Sequence, residues 1–299
     1  MAKSLSVIID TDPGIDDAIA LLLAWASPEL NVLGITTVAG NVELEQSYLN
    51  AHRLRWLAGR RTPIYAGCPE PILKPLKVTH TIHGRDGLGI SWPEMEAPES
   101  STHSVDFIIE QALNHKNSPV TLCMLGPLTN LAMALILCPE IKEGIKQVVL
   151  MGGALDNKGN TSPIAEFNFF TDPHAAARVF DSGLPIVMSP LDVTRQTEVA
   201  ETWLNAVQSL DTPVCKAVYE MLSVYRSGTG GGLHDPCIVA WLISPELFTA
   251  KRCDVKVKVC GDREGQSVPE WKDDGQVLSL INVNADGFLT LLKNRIQAL

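Results

Sequence analysis

Aromatic residues are scarce in this chain, at 6% of 299 positions, and basic residues are outnumbered, 24 against 34 acidic, for a net charge of -10. A surface poor in cations and stacking rings excludes the usual means of holding a nucleic acid or an anionic membrane, and no Lys/Arg cluster is dense enough to reverse that. Apolar runs are broken by polar residues before they reach the length of a membrane span. Seven cysteines are present, an odd number with no C-x-x-C pair, which speaks for reduced, mostly buried thiols and a cytoplasmic protein. Met1-Ala2-Lys3-Ser4 leads straight into apolar residues, without a signal-peptide pattern.

Several motifs are missing too. No G-x-G-x-x-G fingerprint follows the first apolar run, and there is no G-x-x-x-x-G-K-[ST] phosphate loop. No serine occupies a G-x-S-x-G elbow. His83, His174 and His234 are isolated in sequence, which argues against zinc.

What the chain does have is acid concentrated near its start. Val7-Ile8-Ile9 runs into Asp10-Thr11-Asp12-Pro13-Gly14-Ile15-Asp16-Asp17, with four carboxylates in eight positions, and then into apolar Ala18 to Leu23. The pattern predicts a buried strand, a tight turn and a helix with acids in its first turn. A helix N-terminus favours negative charge, so Asp12 or Asp16 as a cap is the plain alternative. Capping does not account for four acids, because crowded carboxylates raise one another's cost of ionisation. A hard cation with oxygen ligands, Ca2+ or Mg2+, would relieve it.

With 45% hydrophobic residues and a mean hydropathy of +0.10, the chain suits a well-buried enzyme, and 299 residues fit one large α/β domain. Strands are expected at 31–39, 62–66, 120–125, 147–151, 185–188, 254–259 and 277–283. Helices are expected at 43–58, 104–115, 127–137, 172–180, within 198–225, at 237–243 and at 285–296. This alternation implies an α/β fold with a mostly parallel, Rossmann-like sheet and a site at the C-terminal ends of the strands. Asp10 to Asp17, Asn41, Leu125, the stretch from Met151 to Asn168, and Asp192 all follow strands, so they can converge from distant parts of the chain. The Pro- and Gly-rich region 68–101 reads as a long functional loop containing His83-Gly84-Arg85, with Arg85 facing solvent. Gly228 to Gly232 reads as a flexible loop.

Each candidate has a plainer reading. Asp235 before Pro236 is equally well a helix cap, and His234 an ordinary half-buried histidine, although its position makes an acid role possible. Glu166 and Asn168 would flank a buried Phe167 at a strand-like edge. Asn130 reads as structural, and Tyr225 as a core or hinge residue.

The acidic octet resembles the N-terminal signature of the nucleoside hydrolases. Val38-Ala39-Gly40-Asn41, Ile82-His83-Gly84, Gly126-Pro127-Leu128-Thr129-Asn130, Met151-Gly152-Gly153, Ala165-Glu166-Phe167-Asn168 and His234-Asp235-Pro236 resemble further family segments, in family order. The resemblance implies a single catalytic domain over 1–299, hydrolysing the N-glycosidic bond of ribonucleosides, and a homodimer or homotetramer. It implies one Ca2+ per chain, held by Asp12, Asp17, Asp235 and the carbonyl of Leu125, with Asp12 as general base. Asp16 and Asn168, with Asn41 nearby, would hold ribose hydroxyls. Asn160 and Glu166 would reach the 5′-hydroxyl, Met151 would line the sugar pocket, and Asp10 would support the acidic loop. His234 would face the departing base, with His83 and Tyr225 as further base contacts. Two other readings compete. A metal-dependent phosphohydrolase needs a Lys or Arg near the octet, which has none. A non-catalytic nucleoside- or sugar-binding module would not need all of these acids.

Overall fold

The computed structural model describes residues 4–78, 84, 86–156, 158–229 and 232–299. In chain order the elements are β1 (Leu5–Thr11), α1 (Ile15–Trp25), β2 (Leu30–Thr37), α2 (Leu44–Leu57), β3 (Ile64–Ala66), α3 (Ser104–Asn114) and β4 (Val120–Met124). Then come α4 (Thr129–Leu137), β5 (Ile145–Met151), α5 (Phe167–Thr171), α6 (Pro173–Phe180), β6 (Ile186–Ser189) and α7 (Leu191–Thr194). The chain ends with α8 (Glu201–Gln208), α9 (Pro213–Thr229), α10 (Pro236–Ile243), β7 (Phe248–Val257), β8 (Ser267–Trp271), β9 (Val277–Val283) and α11 (Ala285–Ile296). The strands form one nine-stranded sheet in the order β3-β2-β1-β4-β5-β6-β9-β7-β8. Pairing is parallel from β3 through β9, and antiparallel where β7 joins β9 and β8 joins β7. The expected mostly parallel α/β fold is what the chain adopts.

Strand residues alternate between two faces, and both faces are covered. Val7 and Ile9 pack into the core shared with α1, α10 and α11, whereas Ile8 between them joins the core under α3 and α4. A strand buried on both sides has no solvent face, which is why these segments read as continuous apolar runs. All eleven residues of α1 are buried, Asp16 and Asp17 included. A helix apolar nearly all round belongs in the interior, so its acidic first turn goes into the interior with it.

The chain builds outward from β1 in both directions: β2 and β3 lie to one side, β4, β5 and β6 to the other. The strand order therefore reverses between β1 and β4. In open parallel sheets the loops leaving such a pair diverge, and a crevice opens beyond their carboxyl ends. The octet leaves β1 there, and Leu125-Gly126 leaves β4.

Four expectations need correction. The extended piece at 62–66 contracts to Ile64–Ala66, and the strand expected at 254–259 is the ten-residue β7, starting at Phe248. β8 was not expected: Pro269 breaks its propensity, and a proline is tolerated there because β8 is an edge strand. Helix α9 runs on to Thr229, so Ser227 to Thr229 belong to a helix end and not to a flexible loop. Arg85 lies outside the described residues. No helix among the described residues is long and apolar enough to cross a membrane.

Asn130, at the start of α4 and fully buried, ties the switch point together. Its amide donates to Asp10 Oδ2 at 2.8 Å and to the Thr37 carbonyl at 3.0 Å, and its oxygen accepts from the Cys68 N–H at 2.9 Å. This is the structural role expected of it. Asn130→Leu takes one donor from the Asp10 carboxylate, one from the Thr37 carbonyl and the acceptor of the Cys68 N–H at once, and is expected to cost about 2–4 kcal/mol in urea unfolding.

Candidate active site

The acidic turn is built by its own backbone and by Asn41. Gly14 caps α1, and its N–H donates to Asp17 Oδ2 at 3.1 Å. Asp17 Oδ1 accepts from the Thr11 hydroxyl at 2.5 Å and from the Asp12 N–H at 3.3 Å. The capping carboxylate is therefore Asp17, not Asp12 or Asp16. Asn41, on the loop after β2, donates its side-chain amide to Asp17 Oδ2 at 3.1 Å and to the Asp12 carbonyl at 3.3 Å. Its backbone N–H donates to Asp12 Oδ2 at 2.7 Å.

The Asp12 carboxylate is seated between the loops leaving β2 and β4. A Cβ at Gly40 would come within 2.1 Å of Asp12 Oδ2, and one at Gly126 within 2.3 Å of Oδ1. Only a hydrogen side chain at both positions leaves this space. The two glycines belong to the site for that reason; in sequence they read only as turn residues.

Asp235 arrives from the far end of the chain. Carboxylate oxygens of Asp16, Asp17 and Asp235 lie within 4.8 Å of one another, and all three residues are buried. Asp235 sits at the N-terminus of α10, yet its side chain makes no capping hydrogen bond, so the cap reading fails. Burial, with the charges of its acidic neighbours, pushes Asp235 well above the usual carboxylate range. Burial and the Asp17 charge do the same to Asp12. Burial lifts Asp16 to about 6, against hydrogen bonds that include the Tyr225 hydroxyl at 3.3 Å. Such a group is relieved by protons or by a cation. An all-oxygen set of this density fits a hard divalent ion such as Ca2+ or Mg2+, and fits zinc or a soft metal poorly. Asp12 is not one of the three clustered acids; it lies beside them, its charge acting on Asp235.

The Leu125 carbonyl belongs to the same crevice, because the Leu125 N–H donates to the Asp10 carbonyl at 2.8 Å and continues the β1–β4 pairing. That carbonyl accepts from the Asn168 amide at 2.6 Å, which also donates to the Met151 carbonyl at 3.2 Å. Asn168 thus bridges the ends of β4 and β5. Glu166 caps α5, accepting from the N–H groups of Asn168 at 2.7 Å, Gly153 at 2.9 Å and Phe169 at 3.2 Å. The segment is a helix start, not a strand edge, and the fully buried ring is Phe169 while Phe167 is half-buried.

Asp10 lies within β1 itself. One oxygen accepts from Thr36 at 2.6 Å and from Asn130, while Oδ1 is buried without a hydrogen-bond partner, and burial lifts the group to about 7. His234 is half-buried, with Nδ1 and the hydroxyl of buried Thr194 2.7 Å apart. Thr194 gave no sequence signal, being an ordinary threonine forty residues away. Tyr225 is buried in the core and reaches the site through Asp16. Asn160 is exposed on the loop after β5, its N–H donating to the Ala165 carbonyl. Asp192 does not join the acids; it accepts from the Leu155 N–H at 2.9 Å. His83 lies outside the described residues.

Comparison with known proteins returns one answer. The model of the inosine-uridine preferring nucleoside hydrolase family matches residues 7–290. A pyrimidine-specific ribonucleoside hydrolase, RihA of Photobacterium profundum, is 38% identical, covering 98% of this chain and 99% of its own. An uncharacterized protein of Schizosaccharomyces pombe is 42% identical over 99% of this chain and 100% of its own. Among solved structures, a plant nucleoside hydrolase superposes with a TM-score of 0.91 at 31% identity, covering 99% of this chain and 100% of that one. A purine-preferring ribonucleoside hydrolase of Gardnerella vaginalis gives 0.90 at 33% identity, covering 98% of each.

Glu166 supplies a test of this geometry through stability. Burial raises it from the ordinary 4.5 to about 7 in spite of three N–H donors, so the folded chain holds its proton more tightly than the unfolded chain does. Its contribution is complete below pH 4.5 and fades as pH rises through 7. Urea unfolding of the wild type should therefore weaken between pH 4.5 and 7.5 relative to Glu166→Gln, by on the order of 3 kcal/mol. The constant offset from the altered hydrogen bonds does not enter that difference.

Proposed function

The chain belongs to the inosine-uridine preferring nucleoside hydrolase family, whose members are N-glycosyl hydrolases, and from that premise we propose that residues 1–299 form one catalytic domain that hydrolyses ribonucleosides to ribose and free base with a Ca2+-dependent Asp12 base. The observation that carries this reading is the meeting of Asp16, Asp17 and Asp235 within 4.8 Å beside the Asp12 carboxylate, at the crevice between β1 and β4.

Asp17, Asp235, Asp12 and the Leu125 carbonyl are the groups that would hold the ion. When bound, the ion supplies charge neutralisation and Lewis acidity toward water and ribose hydroxyls. The protein side of the reaction follows from the seating of Asp12. Asn41 takes up Oδ2 through a backbone N–H, and Oδ1, close against Gly126, is the oxygen left to face an attacking water. Oδ1 takes the proton from that water as its oxygen attacks the anomeric carbon.

Breaking an N-glycosidic bond leaves positive charge on the sugar. Buried carboxylates favour that charge electrostatically, and more strongly than they would in water. Asp16 accepts from a ribose hydroxyl on the oxygen side opposite Tyr225. Asn168 fixes the carbonyls of Leu125 and Met151 that floor the sugar site. Glu166 and Asn160 serve the 5′ end. His234, oriented by Thr194, faces the leaving base and gives it a proton. The substrate class is the ribonucleosides, and relatives at 38% and 33% identity carry opposite base preferences in their names, so no base type is assigned.

Incubating the purified protein with uridine and with inosine is expected to release free ribose, and no release from either rejects the reading. Asp12→Asn should keep its circular dichroism spectrum and lose at least about 100-fold in kcat, since the amide cannot take the proton. Elemental analysis of dialysed, active protein should find one divalent ion per chain, and a chelator should abolish turnover until Ca2+ is restored. Active protein free of divalent metal would end the metal assignment.

A further inference from the structure

Helix α2 carries a buried side chain that the proposed chemistry does not use. Asn50 has no exposed surface. Its Oδ1 accepts from Gln46 Nε2 at 2.8 Å and from Arg53 Nη1 at 3.2 Å, which turns its NH2 group toward two loops. That group donates to the Pro13 carbonyl at 3.1 Å and to the Asp86 carbonyl at 2.7 Å. Pro13 stands in the acidic turn, between Asp12 and Asp16. Asp86 opens a short turn in which its own Oδ1 accepts from the N–H groups of Leu88 at 3.2 Å and Gly89 at 3.0 Å.

The 86–89 segment is seated against the site from two sides. A Cβ at Gly87, whose φ is +81°, would lie 2.9 Å from Asn50 Nδ2 and 3.1 Å from the Pro13 carbonyl. A Cβ at Gly89 would lie 3.0 Å from Val224 and 3.3 Å from Ile15. Val224 precedes Tyr225, whose hydroxyl reaches Asp16. The acidic turn, the 86–89 segment and the end of α9 therefore meet, and one NH2 group holds the first two together. Without it, the Pro13 carbonyl and the carbonyl of half-buried Asp86 would lose the donor they share, and nothing in that bond would hold the two segments together.

Resting on the hydrolase reading above, we propose that Asn50 is a positioning residue that sets the spacing between the acidic turn and the 86–89 wall of the site, and so governs how tightly a nucleoside is held. The chemistry asks for an amide. A carboxylate would repel both carbonyls, and an aliphatic side chain offers neither a hydrogen.

Two variants break the tie from opposite sides: Asn50→Leu removes the donor, and Gly87→Ala drives a methyl group between donor and acceptors. Steady-state kinetics on uridine should show KM raised about tenfold, the factor matching the loss of one buried hydrogen bond, with kcat within about threefold of wild type. Hydrogen exchange should quicken in peptides covering 12–17 and 86–90 and stay unchanged elsewhere. A loss of kcat at constant KM, with exchange raised across the whole chain, would reduce Asn50 to a packing role and overturn the proposal. Should Asn50→Leu not fold, Gly87→Ala decides by the same two readouts. Should the wild type release no ribose, the hydrolase reading fails separately, and unaltered exchange at 86–90 in the variants still refutes the tie.

Discussion

The constraint on which the rest depends is electrostatic: four carboxylates, those of Asp10, Asp12, Asp16 and Asp17, are buried within eight residues, and Asp235 is brought to join them. Removing charge from water is expensive, and placing like charges together compounds the cost. The protein offsets part of it with donors that are themselves fixed. Asp17 accepts from Thr11, Asp12, Gly14 and Asn41, and Asp12 accepts from Asn41. What these bonds leave uncompensated is the capacity to attract positive charge. On the proposed mechanism, a cation in the site and a cationic sugar during bond cleavage would draw on the same source, and the strain of burial would serve catalysis.

The fold's contribution is to make that burial geometrically unavoidable. Because α1 packs on all sides, its first turn cannot swing to solvent, and because β1 is central, Asp10 lies inside the sheet. The reversal of strand order between β1 and β4 then supplies the crevice. Gly40 and Gly126 leave the room that Asp12 fills, and Asn130 and Asn168 lace the strand ends at either side. Fold and site are one arrangement here, with few residues serving only one of them.

Most of the fold was legible in the sequence because doubly covered strands must be apolar and their connecting helices amphipathic or apolar, and both patterns survive in a linear reading. β8 escaped because an edge strand with Pro269 needs no such pattern, and the end of α9 escaped because glycine and serine near a helix terminus read as a loop. Within the site, the octet was visible through its density of charge. The side-chain ties were not visible: Thr194 to His234, Asn50 to Pro13 and Asp86, and the space left by Gly126 all depend on which residues the topology brings face to face. Local spacing carries no trace of a contact made across 36 or more residues. The cap reading of Asp235 failed for the same reason, since its carboxylate is drawn to acids some two hundred residues away in sequence.

The choice of tie deserves a physical reason. Asn41, Asn50, Asn130 and Asn168 each donate amide hydrogens into or beside the site. A lysine or arginine would satisfy the same oxygens more strongly, through charge-assisted hydrogen bonds. It would also place a permanent cation among the acids, and so cancel the field on which the proposed ion and cationic sugar would depend. A neutral amide fixes an oxygen without neutralising it. Two hydrogens on one nitrogen also let a single side chain hold two acceptors, as Asn130 holds Asp10 and Thr37, and Asn168 holds Leu125 and Met151. Asparagine is short enough that little rotamer freedom is lost in doing so. An acidic site that must stay acidic is therefore best framed by amides, and this one is.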